Sequence, residues 1–383
     1  MSISAHTTRR WFICAAMALL TMVGTASADT PAKPAANPPP DAATILRNVR
    51  KIVTPDGIEN MTTVEIGGIR QWISVRGRHR DNPILLFLHG GPSLTSMPAS
   101  YSYAGPWEEY FTVVQWDQRG AGKTYRENDP AKIAPTMSGE RMLADAEELI
   151  AWLRKTYNKP KIVLVGHSWG SVLGVKLAQR HPDWFYAYVG VGQVVNMQQS
   201  EAMGYQTTLD AARRDGNTEA IKALESIAPY PDPDLTNAEA VKKAIGKLGV
   251  DRQWMSRYGG YFHGEKTGHD PQLMSISPDY DAKDLEARNA GIAFSIPLLW
   301  TELMKVDFTD TTQFGCPVIL FHGRHDLTVS ATLASQWFAN VKAPQKKMVW
   351  FEDSSHILFE EESGKFLLSL VQDVLPLTHD SKP

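Results

Sequence analysis

Gly166-His167-Ser168-Trp169-Gly170 sets a serine between two glycines, directly after the apolar run Ile162–Val165 and before a segment of helical spacing. This pattern suits a nucleophile. An attacking hydroxyl must stand exposed on a sharp strand-to-helix turn, and glycines two residues to either side let strand and helix close around it. A serine hydroxyl also needs a base to take its proton, and the base needs an acid to orient it. Two later apolar runs end in such groups. Val318–Phe321 leads into His322-Gly323-Arg324-His325-Asp326, and Lys347–Phe351 leads into Glu352-Asp353-Ser354-Ser355-His356. Parallel strands bring their C-terminal ends to one edge, so Ser168, Asp326 and His356 are expected to converge there as nucleophile, orienting acid and base.

A fourth component follows the run Ile84–Leu88. His89-Gly90-Gly91-Pro92 is a glycine-rich turn able to aim a backbone amide at a substrate carbonyl. The amides of Gly91 and Trp169 are the expected oxyanion donors, the second aided by the positive end of its helix. His322 and His325, like His263, His269 and Asp270, read as strand-end or loop residues rather than metal ligands. No metal or organic cofactor is expected. Cys316, beside Pro317 at the start of an apolar run, reads as a small buried hydrophobe.

These residues need a scaffold, and the chain outlines one. Met61–Ile66 and Ile69–Val75 flank Gly67-Gly68 as a hairpin. Short continuous apolar runs then alternate with helical periods, such as Met142, Ala146, Leu149, Ile150 and Leu153 behind a possible N-cap at Ser138. A closing helix is expected over Glu360–Val371. Runs apolar throughout indicate strands covered on both faces, hence an α/β fold with a mostly parallel central sheet flanked by helices. Residues 196–305 break the rhythm with helical segments and Pro- or Gly-rich turns, and are expected to form a helical cap inserted between two strands. The core is expected over 45–195 and 306–383.

The chain has 383 residues, 43% hydrophobic and 21% charged, which excludes a largely disordered or multi-span membrane protein. Lys and Arg total 39 against 42 Asp and Glu, so no basic excess points to nucleic acid. Residues 1–28 read as a signal peptide: Arg9-Arg10, an apolar run from Trp11 to Leu20, then Ala26-Ser27-Ala28 as a cleavage pattern. Thr8-Arg9-Arg10-Trp11-Phe12-Ile13 is similar to a twin-arginine export signal. The expected product is a periplasmic or secreted chain starting at Asp29, with no membrane span. It would keep Cys316 as its single cysteine and so form no internal disulfide. Residues 29–44, rich in Pro and Ala, read as a spacer.

Three motifs together resemble α/β-hydrolases of the proline iminopeptidase type: His89-Gly90-Gly91-Pro92-Ser93, Trp116-Asp117-Gln118-Arg119-Gly120-Ala121-Gly122-Lys123-Thr124, and Gly166-His167-Ser168-Trp169-Gly170-Ser171. The order Ser168, Asp326, His356 agrees with that fold. Ser93 stands where the family usually has glycine, and His167 where it often does. The resemblance implies a helical cap over the triad and an exopeptidase acting through an acyl-enzyme on a small molecule or short peptide. It also implies acidic cap residues for the substrate's amino group, for which Glu201 and Glu302 are candidates. Asp117 and Arg119 are expected to brace the loop beside the site. Among the cap aromatics, Trp254 and Tyr258 are candidates for substrate contact. A carboxylesterase or lactonase is the alternative activity, and an inert periplasmic binding protein the non-enzymatic one.

Overall fold

The computed structural model describes residues 40–264 and 270–379. The signal peptide, its cleavage site, most of the spacer and His269 lie outside the described residues. The expected spacer 29–44 gives way to helix α1 (Ala42–Val49), which begins at Ala42 because the Asp41 carboxylate accepts the Thr44 amide at 2.7 Å and caps it.

Eight strands form one sheet: β1 (Ile58–Ile66), β2 (Ile69–Gly77), β3 (Ile84–Leu88), β4 (Thr112–Trp116), β5 (Ile162–His167), β6 (Phe185–Val191), β7 (Val318–Gly323) and β8 (Lys346–Phe351). Their order is β1-β2-β4-β3-β5-β6-β7-β8. The expected hairpin pairs β1 with β2 antiparallel, and β2 pairs antiparallel with β4; all further pairings are parallel. The inner parallel strands β3 to β7 are buried on both faces, as their apolar character requires, whereas the edge strand β8 opens with the exposed Lys346 and Lys347. Leu86, Leu88 and Leu164 join one cluster with Met142, Leu149 and Leu153, whereas the alternate residues Leu85, Phe87, Val163 and Val165 join another with Trp107 and Phe366. This is the period-two alternation of a strand with both faces in a core. Burial of each such side chain contributes roughly 1.5–3 kcal/mol.

Helices α2 (Gly122–Glu127), α3 (Pro130–Ile133), α4 (Gly139–Thr156) and α5 (Trp169–Arg180) belong to the core. Ser138 caps α4 by accepting the Arg141 amide at 3.2 Å, as its position suggested. Between β6 and β7 the chain makes its excursion through α6 (Met197–Arg214), α7 (Thr218–Ser226), α8 (Ala238–Arg257), α9 (Asp270–Ser275) and α10 (Ala282–Met304), with no strand among the described residues there. The two ends of the excursion meet. Asn196 and Asp307 form an antiparallel bridge, the Met197 amide donates to Val306 O at 3.1 Å, and the Phe308 amide donates to Val195 O at 2.7 Å. The segment between them is thus a helical insertion that leaves and rejoins the sheet at one neck.

The core resumes with α11 (Ala331–Asn340), α12 (Leu358–Glu361) and α13 (Ser363–Ser369). The single closing helix expected from Glu360 is thus divided. Glu362 leaves helical geometry at φ −118°, ψ 52°. Its carboxylate accepts the Asp353 amide at 3.2 Å and the Ser354 hydroxyl at 2.7 Å, binding this break to the loop after β8.

Candidate active site

Ser168 sits between β5 and α5 at φ 53°, ψ −117°, a conformation that L-residues rarely adopt. The turn is held by the Ser168 amide donating to Val191 O at 3.0 Å, and by the Ser171 amide and hydroxyl donating to Ser168 O at 2.8 and 2.6 Å. Both flanking glycines are sterically required. A β-carbon on Gly166 would strike the backbone of Gly170, and one on Gly170 would overlap the Leu88 carbonyl oxygen.

Asp326 follows β7 and His356 follows β8. The loops carrying them are laced together: the His325 amide donates to Ser354 O at 3.0 Å, and the Ser355 hydroxyl donates to His325 O at 2.9 Å. Asp326 Oδ2 lies 2.8 Å from His356 Nδ1, while Oδ1 accepts the amides of Thr328 and Val329, both at 2.9 Å. Burial alone would raise the Asp326 pKa. The His356 charge and hydrogen bond, with lesser help from His322 and the Val329 amide, outweigh burial and hold it below the usual value, so the acid stays ionised. With Nδ1 committed to Asp326, His356 has Nε2 left for other work, and it lines one cavity with Ser168.

The cavity measures about 360 Å³. Gly91 and Trp169 also line it. Gly91 has φ +122°, and a β-carbon there would collide with the amides of Ser93 and Leu94. Trp169 is the first residue of α5, so its amide has no carbonyl partner within the helix. Ser93 adopts φ 66°, and its buried hydroxyl finds no partner among the described residues.

The Asp117-Gln118-Arg119 stretch holds these parts in place. Gln118 donates its amide to His89 Nε2 at 3.3 Å, its side chain donates to His89 O at 3.3 Å, and its Oε1 accepts the Trp169 indole at 3.2 Å. His89 Nδ1 pairs with Gly90 O at 2.8 Å, so one ring nitrogen donates and the other accepts. That requires a neutral ring, and burial pushes the His89 pKa down to about 4. His167 is likewise buried, with its pKa lowered to about 3, and its Nε2 meets His356 O at 3.1 Å. Asp117 accepts the Thr95 hydroxyl at 2.5 Å, the Lys123 amide at 2.7 Å and the Tyr280 hydroxyl, linking the turn after β3 to the helical insertion. Arg119 grips Asp145 through two contacts of 2.8 and 3.2 Å in a fully buried pair.

Cap residues also touch the loops of the candidate acid and base. The His356 amide donates to Tyr261 O at 3.0 Å and the Leu327 amide to Gly260 O at 3.2 Å. Met197, Leu248, Ile296 and Trp300 supply much of the apolar wall from this side.

The expected substrate contacts fall elsewhere. Glu201 is buried on α6, paired with Arg252 and accepting the Tyr230 hydroxyl. Glu302 accepts the Gly139 amide at 2.7 Å. Trp254 packs with Tyr205 and Tyr230 inside the cap, and Tyr258 lies against that cluster. None of the four lines the cavity. Charged residues that do are Arg252, Arg288 and Glu360. A signal for Arg288 was available: it continues, two turns earlier, the face of α10 that presents Ile296, Trp300 and Leu303 to the cavity. Cys316 is buried, which pushes its thiol up to about 11 and leaves it a hydrophobe. Among the described residues no three His, Cys, Asp or Glu side chains gather as a metal site, and no helix is long and apolar enough to cross a membrane.

Residues 83–363 match the model of the α/β hydrolase fold family. A Bacillus subtilis protein named probable aminopeptidase YbaC is 30% identical over 81% of this chain and 94% of its own length. A Leptolyngbya boryana protein named probable proline iminopeptidase is 24% identical over 74% of this chain and 84% of its own. Among solved structures, the proline iminopeptidase of Mycobacterium smegmatis superimposes with a TM-score of 0.61 at 17% identity, covering 84% of this chain and all of that one.

Proposed function

This chain belongs to the α/β-hydrolase fold family and is a hydrolase, and from that footing we propose that it works through a Ser168–His356–Asp326 triad and an acyl-enzyme. The observation carrying the reading is the 2.8 Å contact between Asp326 and His356 Nδ1, with His356 and the strained Ser168 facing one cavity. In this reading Ser168 Oγ attacks the substrate carbonyl and His356 Nε2 takes its proton. Asp326 fixes the ring and stabilises the imidazolium. The amides of Gly91 and Trp169 receive the oxyanion, each worth about 2.7–4 kcal/mol in the transition state. His356 then returns the proton to the leaving group, which departs as the Ser168 ester forms. Water, deprotonated by His356, attacks that ester and releases the acid. A fluorophosphonate probe should label wild type and spare Ser168→Ala; equal labelling of both overturns the assignment.

The preferred activity is that of an aminopeptidase of the proline iminopeptidase type. The names of the relatives support it. The second reading is a carboxylesterase or lactonase, favoured by the apolar wall and by the withdrawal of Glu201 into its pair with Arg252. Proline arylamide and short p-nitrophenyl esters separate the two. Cleavage of esters alone defeats the peptidase reading. The Arg9-Arg10 segment and Ala26-Ser27-Ala28 support export of a chain beginning at Asp29.

A further inference from the structure

We propose that Arg288 receives a carboxylate of the substrate, so that the cavity beside Ser168 takes small carboxylate-bearing acyl compounds; this rests on the hydrolase reading given above.

Two arginines line the cavity, and they differ in what surrounds them. Arg252 is already answered: its Nη1 lies 2.6 Å from Asp251 Oδ2 and its Nη2 binds Glu201. Arg288 makes no ion pair among the described residues. The single hydrogen bond it shows there is a long one, from Nε to Thr95 O at 3.5 Å. A guanidinium has five N–H donors in a planar fork, so most of this one's capacity is unspent. Its charge is half-buried and stands against an apolar wall that includes Leu94, Ile296 and Trp300. Such surroundings strengthen its attraction for an anion relative to water. Thr95 lies four residues beyond Gly91, so the guanidinium stands against the segment that carries one proposed oxyanion donor and lines the same cavity as Ser168. The Arg288 charge also opposes protonation of His89, just before that segment.

The helix presenting Arg288 is firmly placed. Asp281 and Asp284 form a capping box at the start of α10, and Lys123 and Arg126 pair with Asp284. Ser295 Oγ donates to Gly120 O at 3.1 Å. The backbone that carries the cation is therefore fixed before substrate arrives, which lowers part of the ordering cost of binding. A carboxylate accepts two parallel N–H donors from a guanidinium, the strongest pairing the side chain offers.

Tryptophan fluorescence can report occupancy, since Trp169 and Trp300 line the cavity. Two matched pairs titrate the Ser168→Ala protein. Prolyl-alanine against prolyl-alaninamide tests a carboxylate on the leaving side, and monoethyl glutarate against ethyl pentanoate tests one on the acyl side. In at least one pair the acid should bind about tenfold tighter than its neutral partner. That ratio should collapse on adding Arg288→Gln and partly return with Arg288→Lys. Because the ratio is taken within one protein, a general loss of folded material does not mimic the effect. Equal binding of acid and neutral partner in both pairs, no binding of either acid, or a ratio indifferent to Arg288→Gln overturns the proposal. Fluorophosphonate labelling run alongside keeps the outcomes apart. Labelling with a flat ratio removes only the carboxylate site, whereas absent labelling removes the Ser168 reading.

Discussion

Glu302, near the end of the cap, accepts the backbone amide of Gly139 at 2.7 Å, the first residue of core helix α4. The carboxylate satisfies an amide the helix cannot pair internally and stands at the positive end of its dipole. Glu302→Ala should therefore lower stability by about 1 kcal/mol, the usual scale of a lost N-terminal cap. KM for any cleaved substrate should stay within twofold of wild type. A chemical denaturation curve and steady-state kinetics on the same preparation check both; a large KM rise with unchanged stability would return Glu302 to the substrate site.

The backbone of Ser168 offers a separate test. At φ 53°, ψ −117° the residue occupies a region that glycine tolerates and other residues resist, at a cost on the order of 1–3 kcal/mol. Ser168→Ala and Ser168→Gly both lack the hydroxyl, but only glycine relieves the backbone. The glycine variant should melt higher than the alanine variant, by about 1 kcal/mol in stability. Equal melting temperatures would show that the turn carries no strain.

Asp117 and Asp326 should bend the pH dependence of stability in opposite directions. Burial raises the Asp117 pKa to about 6, against hydrogen bonds from Thr95, Tyr280 and Lys123 that lower it. In the folded chain it keeps its proton where the unfolded chain, near 3.8, has lost it. Its contribution is full below the unfolded value and fades as pH rises to about 6, by an amount on the order of 3 kcal/mol. Asp117→Asn, which cannot titrate, should thus gain on wild type as pH climbs from 4 to 6. For Asp326 the folded pKa is lowered, so its contribution is present above the unfolded value and is lost as pH falls through the folded one. Asp326→Asn should accordingly lose less stability than wild type on acidification below pH 4. Melting temperatures across pH 2–7 for wild type and the two variants check both signs.

Export is open to direct measurement. Expression of the full chain in a bacterium should yield a periplasmic species whose N-terminus, read by intact-mass spectrometry, is Asp29. Replacement of Arg9 and Arg10 together by lysine should leave precursor in the cytosol if the twin-arginine route is used. A mature mass that retains residues 1–28 overturns the cleavage reading.

Much of this protein was legible in one dimension because its signals are local. Continuous apolar runs alternating with helical periods required a mostly parallel sheet, and glycines at 166 and 170 marked the turn at Ser168 from strand to helix. Parallel strands carry Asp326 and His356 to the edge where Ser168 stands, so a topological rule was enough to bring them together in expectation. Local pattern failed where partners come from distant helices. Glu201 and Glu302 are acidic cap residues in the sequence, yet Arg252 and the Gly139 amide take them out of the cavity, from 51 and 163 residues away. Arg288 is an ordinary helical arginine until α10 is laid over the turn after β3 and no carboxylate among the described residues meets it. Which charges are cancelled and which are left facing the cavity depends on packing between segments far apart in the chain, and only the tertiary arrangement decides it.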